Sequence, residues 1–268
     1  MHLRITWILS LLVVTTSGAH ELPTTAQYLG NEGILFSHGG ESVLFDAFFE
    51  ESYGQYVLLD RSTNQAIKFA KEPYDNVKLV FVSHVHGDHF SAAPTVDYLQ
   101  EQTSVRLFGS GQVVDAILAL DDSLQARLHR VDLSPGEVPV DYSIDPFKVT
   151  VVAIPHAGGE RTKDIQNLAF KVSIDDSRTM VHMGDAGPDL SVFNPLRGFF
   201  EGVHVAFPPY WFYLNEVGRD ILENVITADI TIGVHVPAKY IGQGDVLREE
   251  VGGDVFTDPG ETRSFKPN

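Results

Sequence analysis

The sequence contains no cysteine among its 268 residues, which excludes disulfide bonds, thiolate metal sites, thiol nucleophiles and cysteine-linked lipid anchors. Basic residues are scarce as well: 19 lysines and arginines stand against 36 aspartates and glutamates, which leaves a formal net charge of −17. We do not expect nucleic acid as a partner, because its binding depends on basic side chains that neutralise phosphates. The apolar content of 43% is nevertheless typical of a globular protein with a sizeable core.

The first 19 residues have the layout of a signal peptide. A weakly basic start at residues 1–4 precedes an uncharged apolar run at residues 5–14, and small side chains follow at residues 17–19. The apolar run is well short of the roughly 20 residues that a membrane-spanning helix needs, so we expect no stable membrane insertion. The sequence predicts a signal peptide over residues 1–19 and a single exported domain over residues 20–268. The absence of cysteine and of Asn-x-Ser/Thr sequons favours a bacterial periplasm over a eukaryotic secretory route.

Short apolar runs rich in β-branched side chains recur along the chain and predict buried strands. The predicted strands are Gly33–Phe36, Ser42–Phe45, Lys78–Val82, Val105–Phe108, Val149–Ile154, Leu168–Ile174, Thr179–Met183, Val203–Phe207 and Ile230–Val234. The predicted helices are Ala93–Gln102, Gln112–Ala119 and Leu214–Ile226. Hairpins in the first part and alternation with helices in the second predict mixed sheets covered by helices, in the α/β to α+β range.

Five of the apolar runs end in a residue that can bind a metal ion or hold a ligand. These residues are Asp46, His84, His156, Asp185 and His235. Sites in sheets of this kind collect where the strand ends meet at one edge. No packing requirement explains the coincidence, so we expect these side chains to form one site.

The densest group of candidate ligands is the run His84-Val85-His86-Gly87-Asp88-His89. In an extended segment, His84 and His86 point to the same side because side chains alternate. The following turn lets Asp88 and His89 reach a neighbouring position. Four adjacent ligands do not fit one tetrahedral ion, so the run predicts two metal ions bound by imidazole and carboxylate.

The ordered set of these motifs, from Asp46 to His235, resembles the metallo-β-lactamase superfamily. The opening YLGNEGILFSHGGESVLFDAFF, the DLSPGE turn and the HMGDAG segment agree with this resemblance, which covers nearly all of the chain after residue 19. The resemblance implies a four-layer αβ/βα sandwich with a dinuclear metal site on one edge.

The resemblance also implies a role for each motif residue. His84, His86 and His156 would hold the first metal, and the ligands of the second metal would be Asp88, His89 and His235. Asp185 would bridge the two ions, and Asp46 would orient a ligand by hydrogen bonding. We expect two divalent cations, zinc first, with manganese or iron in its place as further options.

A site with open coordination positions is typical of catalysis, and two cations ~3.5–4 Å apart can activate a shared water as hydroxide. The predicted activity is therefore metal-dependent hydrolysis of a small-molecule ester, lactone or phosphodiester. Asp88 and Asp185 are the candidate catalytic residues, since Asp88 can take a proton as well as bind metal. The substrate does not follow from the fold.

Three further functions are compatible with the same fold. A secreted metallo-β-lactamase is one, but true lactamases carry a different segment after the third histidine and lack the bridging aspartate, whereas this chain has IPHAGGER and Asp185. The GDAG context is more similar to the branch that contains ascorbate-phosphate lactonase and N-acyl phosphatidylethanolamine phospholipase D. The second function is that of an iron-dependent oxidoreductase, and the third is that of a non-catalytic metal-binding protein.

Two segments are candidates for substrate binding. Tyr210 and Trp211 lie in an aromatic run that could line the pocket, and Arg161 and Lys163 follow His156 and could bind a phosphate or carboxylate. Ordinary packing of the aromatic run and solvation of the loop charges would explain the same residues without a binding role. After His20, four further histidines fall outside the motifs, and of these His182 is expected to be structural or to support a ligand. They are His38, His129, His182 and His204.

We predict that the processed protein begins near His20. The expected cleavage follows Ala19 because small side chains at residues 17–19 meet the requirement of a signal peptidase. N-terminal sequencing or intact mass of protein from the native host checks this. Recovery of an uncleaved chain embedded in the membrane would contradict it.

Overall fold

The computed structural model describes residues 23–265, and the predicted signal peptide lies outside this range. The strands are β1 Thr24–Gly30, β2 Gly33–His38, β3 Glu41–Phe45, β4 Val77–Val82, β5 Arg106–Ser110, β6 Leu128–Val131, β7 Val140–Ile144, β8 Phe147–Ala153, β9 Leu168–Ile174, β10 Arg178–His182, β11 Val205–Phe207, β12 Ile230–Gly233, β13 Asp254–Val255 and β14 Thr262–Phe265. The α-helices are α1 Arg61–Lys68, α2 Ala92–Glu101, α3 Gly111–Leu118, α4 Leu190–Phe193, α5 Arg197–Phe200, α6 Glu216–Ile221 and α7 Gly244–Val251. Short 3-10 turns occupy Asp122–Arg127, Gly159–Arg161, Asn194–Leu196, Tyr210–Leu214 and Ala238–Tyr240.

The strands form two mixed seven-stranded sheets. The order is β14-β1-β2-β3-β4-β5-β6 in the first sheet and β13-β12-β11-β10-β9-β8-β7 in the second. Each sheet combines antiparallel strands with a parallel set, β3 to β6 in the first and β10 to β13 in the second. Mixed sheets of this kind are those that the sequence predicts.

Buried apolar side chains lie in three layers, which give the fold its four-layer αβ/βα arrangement. The central layer joins the facing sides of the two sheets and contains Phe45 and Phe81 from the first sheet and Phe170 from the second. A second layer lies between the first sheet and helices α1 to α3. A third layer packs the outer face of the second sheet against the α4 to α6 region, with Phe193 and Phe212 at its centre. The predicted sandwich is confirmed.

The topology brings the predicted site residues to one edge of the sandwich. β3 and β4 are parallel, so Asp46 and His84 follow their strands at the same end of the first sheet. In the second sheet, β8, β10 and β12 run in one direction, so His156, Asp185 and His235 also follow the carboxyl ends of their strands. The predicted meeting of strand ends therefore occurs in the fold.

The helix predicted over residues 214–226 is found over residues 216–226, where α6 continues directly into a π-helical segment at Leu222–Ile226. Asn215 has extended backbone angles, and its side chain accepts a hydrogen bond from the Gly218 amide at 2.8 Å, so α6 begins only at Glu216. A Cβ atom at Gly218 would lie 2.2 Å from the Phe212 carbonyl oxygen, so this close approach requires glycine. Between residues 23 and 265, no helix combines the length and apolar content that a membrane crossing requires.

Burial of Phe81 generates a stability prediction. Its ring is fully buried and contacts those of Phe45, Phe108 and Phe170, with centroids 4.7, 5.2 and 5.0 Å away. Because it joins both sheets, Phe81→Ala should lower the free energy of unfolding by about 3–5 kcal/mol. Denaturant unfolding measures this, with Leu120→Ala, a side chain that is 58% exposed, as a control expected to change stability by less than about 0.5 kcal/mol. Equal effects of the two substitutions would contradict this account of the core.

Candidate metal centre

Three histidine nitrogens converge at the edge of the sandwich. His86 Nδ1 lies 3.1 Å from His84 Nε2 and 3.1 Å from His156 Nε2. A carboxylate oxygen of Asp185 lies 3.3 Å from His156 Nε2. Four ligand atoms, one from each residue, lie within 4.8 Å of one another, and we call these residues the first group.

A second group consists of Asp88, His89 and His235, whose ligand atoms also lie within 4.8 Å of one another. Asp88 Oδ2 is 3.7 Å from His89 Nε2 and 3.5 Å from His235 Nε2. All three residues are buried. The sequence predicts a turn after His86 that lets Asp88 and His89 reach a neighbouring position. In the structure, this segment directs both side chains towards His235.

Asp185 lies between the two groups and faces both. Its Oδ2 atom faces His156 at 3.3 Å, whereas its Oδ1 atom lies 3.3 Å from His89 Nε2 and 3.1 Å from His235 Nε2. One carboxylate therefore offers one oxygen to each group, which is the arrangement that a bridging ligand needs.

The chemistry of these donors fits divalent cations. A tetrahedral zinc ion with Zn–N distances of about 2.0–2.1 Å keeps its ligand atoms about 3.3 Å apart, close to the separations in the first group. In addition, His235 Nε2 and Asp185 Oδ1 are buried and make no hydrogen bond in the described part of the chain. Buried polar atoms that make no hydrogen bond are costly, and a cation coordinated by them would remove that cost.

Asp46 supports the second group from behind. Its Oδ2 atom accepts a hydrogen bond from His89 Nδ1 at 2.9 Å and another from the Ser83 hydroxyl at 2.5 Å, and its Oδ1 atom accepts from the Ser83 amide at 2.8 Å. The bond to Nδ1 leaves His89 Nε2 directed towards Asp88 and Asp185. Asp46 therefore lies where a residue that orients a ligand is expected.

Two buried asparagines that sequence reasoning assigned no role also hold the site together. Asn31 donates to the Asp88 carbonyl oxygen at 2.8 Å and to its Oδ2 atom at 3.3 Å. Asn167 donates to the Ile154 carbonyl oxygen at 3.2 Å and accepts from the Asp185 amide at 3.1 Å. A Cβ atom on Gly184, which has a φ of +53°, would lie 2.3 Å from Asn167 Oδ1. These contacts connect distant loops, so no sequence spacing could reveal them.

The backbone is strained at two site residues. Asp46 has a φ of +38° and His235 a φ of +61°, in the left-handed region that side chains other than glycine rarely adopt. The His235 amide donates to the Asn31 carbonyl oxygen at 2.7 Å, which helps to hold this conformation. Strain of this kind, about 1–3 kcal/mol per residue, is concentrated at functional sites.

The electrostatic environment differs between the groups. Burial, together with the neighbouring His89 imidazole, lowers the pKa of His84 well below its usual value. Burial also acts to lower the pKa of His235, but the Asp185 carboxylate outweighs it and raises that pKa to about 9. Burial acts to raise the pKa of Asp185, yet the imidazoles of His235 and His89 hold it well below its usual value. The second group and Asp185 thus form a strongly coupled set of opposite charges.

Aromatic rings border the second group. The Tyr56 ring meets the His235 ring edge-on with centroids 4.4 Å apart, and the Trp211 ring lies 5.0 Å from it. Trp211 Nε1 donates to the Ala186 carbonyl oxygen at 3.1 Å, which fixes the indole beside the site. Tyr210, in contrast, packs into a small apolar cluster next to α7. Tyr56 has no sequence signal, because it lies in a loop without a motif.

The two predicted cationic residues lie farther out. Lys163 is exposed, forms an ion pair with Glu160 at 3.0 Å, and lines a cavity of about 410 Å³ together with His156. Arg161 is exposed at the end of the 3-10 turn that follows His156. The structure therefore leaves both residues at the surface, and Lys163 shares a cavity with His156 of the first group.

We predict that Asp46→Asn weakens metal binding about 10–100-fold, chiefly at the second group. Asparagine tolerates the left-handed backbone but loses the charge that orients His89. Calorimetric titration with Zn²⁺ checks this, and Asp97→Asn, which removes a surface carboxylate paired with Lys68, serves as the control. Unchanged affinity in Asp46→Asn would show that the hydrogen bond to His89 does not support the site.

Comparison with known structures relates the fold to those of other proteins. The chain is similar to the metallo-β-lactamase fold protein YhfI from Bacillus subtilis, at 18% identity, with a TM-score of 0.59 over 91% of this chain and 99% of that one. It is similar to isothiocyanate hydrolase from Delia radicum gut bacteria, at 14% identity, with a TM-score of 0.59 over 90% of this chain and 99% of that one. It is also similar to CmlA, a diiron β-hydroxylase from Streptomyces venezuelae, at 14% identity, with a TM-score of 0.56 over 91% of this chain and 54% of that one.

Sequence comparison identifies the family. No curated protein matches the sequence significantly. The family model described as a β-lactamase superfamily domain, however, matches residues 41–214, well over half of the chain. This range includes the first group, Asp88, His89 and Asp185. The chain belongs to the β-lactamase superfamily and has the metallo-β-lactamase fold.

Proposed function

We propose that this protein is a hydrolase that holds two divalent cations and cleaves an ester, lactone or phosphodiester bond in a small molecule. The observation that carries the proposal is the Asp185 carboxylate, which offers one oxygen to the first group and the other to the second. A shared carboxylate keeps two cations at the short separation that joint activation of one water requires. The similarity to metal-dependent hydrolases supports the general reaction class.

Each set of site residues has its own role in the proposed reaction. When bound, two divalent cations lower the pKa of a shared water to roughly 7 and stabilise the charge that develops on the substrate. His84, His86 and His156 would hold one cation, and burial, which lowers the pKa of His84 well below its usual value, favours the neutral imidazole that a cation needs. Asn31 holds Asp88, which would bind the second cation together with His89 and His235 and whose carboxylate could also accept a proton. Trp211 and Tyr56 form an aromatic border against which the substrate packs.

Zinc is the cation that we propose, with manganese and iron as the second choices. Five imidazoles and two carboxylates form a ligand set that zinc accepts readily. CmlA is a diiron β-hydroxylase with a similar fold, so elemental analysis of protein from the native host decides the matter. A chain purified with two iron ions would favour an oxidoreductase over a hydrolase.

We also propose that residues 20–268 act as one exported domain in a bacterial periplasm. The layout of residues 1–19 and the complete lack of cysteine support this location. Small uncharged or cationic substrates suit a chain with a net charge of −17 better than polyanions do.

We predict that Asp185→Asn loses most hydrolytic activity, by more than about 100-fold, when assayed with metal in excess. Asparagine keeps the shape of the side chain but removes the negative charge between the two cations, so it can neither bridge them nor fix their separation. Substitution of a residue that only supports a ligand would lower the activity about 10–100-fold. Kinetics on one lactone, one phosphodiester and one carboxylic ester measure the effect.

Asp189→Asn is the matched control. Asp189 is exposed and caps α4 by accepting from the Ser191 amide, a role that asparagine also fills. The control should retain wild-type kinetics. Near-wild-type rates for Asp185→Asn at saturating metal would contradict the bridging role of Asp185. Efficient turnover of a carbapenem by the wild type would favour a metallo-β-lactamase over the proposed hydrolase.

A further inference from the structure

Glu32 is a buried acid that the proposed reaction leaves unused. It follows β1 in the turn to β2, its relative exposure is 0%, and neither carboxylate oxygen makes a hydrogen bond in the described chain. A buried carboxylate that makes no hydrogen bond is much more costly than a neutral side chain of the same shape. Such a residue needs a compensating interaction, and its neighbours indicate which one.

The Glu32 side chain lies behind the second group. One of its carboxylate oxygens, a ligand atom of His89 and one of Asp185 all lie within 4.8 Å of one another. On its other side, His182 Nε2 donates to the Glu32 carbonyl oxygen at 2.9 Å and lies 3.5 Å from Oε2. His182 therefore pairs with Glu32, and a carboxylate oxygen of Glu32 lies within 4.8 Å of ligand atoms of His89 and Asp185.

Four acidic side chains are buried together at this edge of the sandwich. They are Glu32, Asp46, Asp88 and Asp185. Between residues 23 and 265, no lysine or arginine forms an ion pair with any of them, and the charged partners that they have are histidines. A buried excess of carboxyl groups over basic side chains is balanced when cations bind among them, because opposite charges attract strongly in a poorly solvated interior.

We propose that Glu32 is a positioning residue that strengthens the binding of the cation held by Asp88, His89 and His235. It acts through its negative charge from behind His89 and Asp185, without being a ligand itself. This inference rests on the proposed function, because it requires the second cation. Together with Asn31, Glu32 makes the β1–β2 turn part of the structure that supports the candidate ligands.

Two conservative variants distinguish a role of the Glu32 charge from a role of Glu32 in packing alone. Glu32→Gln keeps the shape and loses the charge, whereas Glu32→Asp keeps the charge and shortens the side chain. If charge is what matters, the glutamine variant loses affinity for the second cation and the aspartate variant loses less. If shape is what matters, the order is reversed, and the metal-free protein with aspartate is the less stable of the two.

The experiment is a calorimetric titration of chelator-treated full-length protein with Zn²⁺, together with thermal unfolding before and after metal addition. The wild type should bind two ions. Glu32→Gln should bind the first ion like the wild type and the second about 10–100-fold more weakly. Its metal-free form should unfold at a temperature equal to or above that of the wild type, because the variant lacks a buried acid whose carboxylate makes no hydrogen bond.

Glu41→Gln is the matched control, since Glu41 begins β3 at the end opposite Asp46 and pairs only with Lys78 among the described residues. It should leave both affinities unchanged. If the wild type binds fewer than two ions, the proposed function itself fails. If the wild type binds two ions and Glu32→Gln binds both equally well, or if Glu32→Gln does not fold without metal, the role of Glu32 is overturned while the proposed function stands.

Discussion

The attraction between buried carboxylates and the imidazoles around them is the interaction on which this site depends. Asp185 comes from the second sheet, yet one of its oxygens lies 3.3 Å from His89 of the first sheet. Neither sheet alone contains a complete group of ligand atoms, because each group combines residues from both. The site therefore exists only when the apolar layer between the sheets is formed, and loss of that packing would separate the ligands.

The surrounding polar network makes such a concentration of charge tolerable. Asp46 and Asn31 hold His89 and Asp88 from behind, and Asn167 connects the loop that precedes Asp185 to the end of β8. These side chains are buried and fix the orientation of candidate ligands, so the site is organised before any cation arrives. The free energy lost when these side chains leave water is offset by their hydrogen bonds and by the cations that the donor set fits.

Much of the fold could be predicted from the sequence, because the central strands are buried on both faces and read as continuous apolar runs. β4 and β9 are examples, and both lie at the predicted positions. Strands at or near the sheet edges escaped prediction. β7 alternates half-buried and exposed side chains over only five residues, and β14 has only four residues and pairs with β1 from the other end of the chain. Such strands form because a neighbouring strand offers hydrogen bonds, which local sequence does not encode.

For the site, the sequence alone determined which residues can bind metal, because ligand-type side chains at the ends of apolar runs are a local pattern. The seven candidate ligands converge in the structure, and their roles as ligands stay predictions. Only the tertiary structure decided which oxygen of Asp185 faces which group, and that Glu32 and Tyr56 lie beside the second group. Those relations depend on how two sheets pack and how loops cross between them. Contacts between residues as far apart as Glu32 and His182 leave no trace in spacing along the chain.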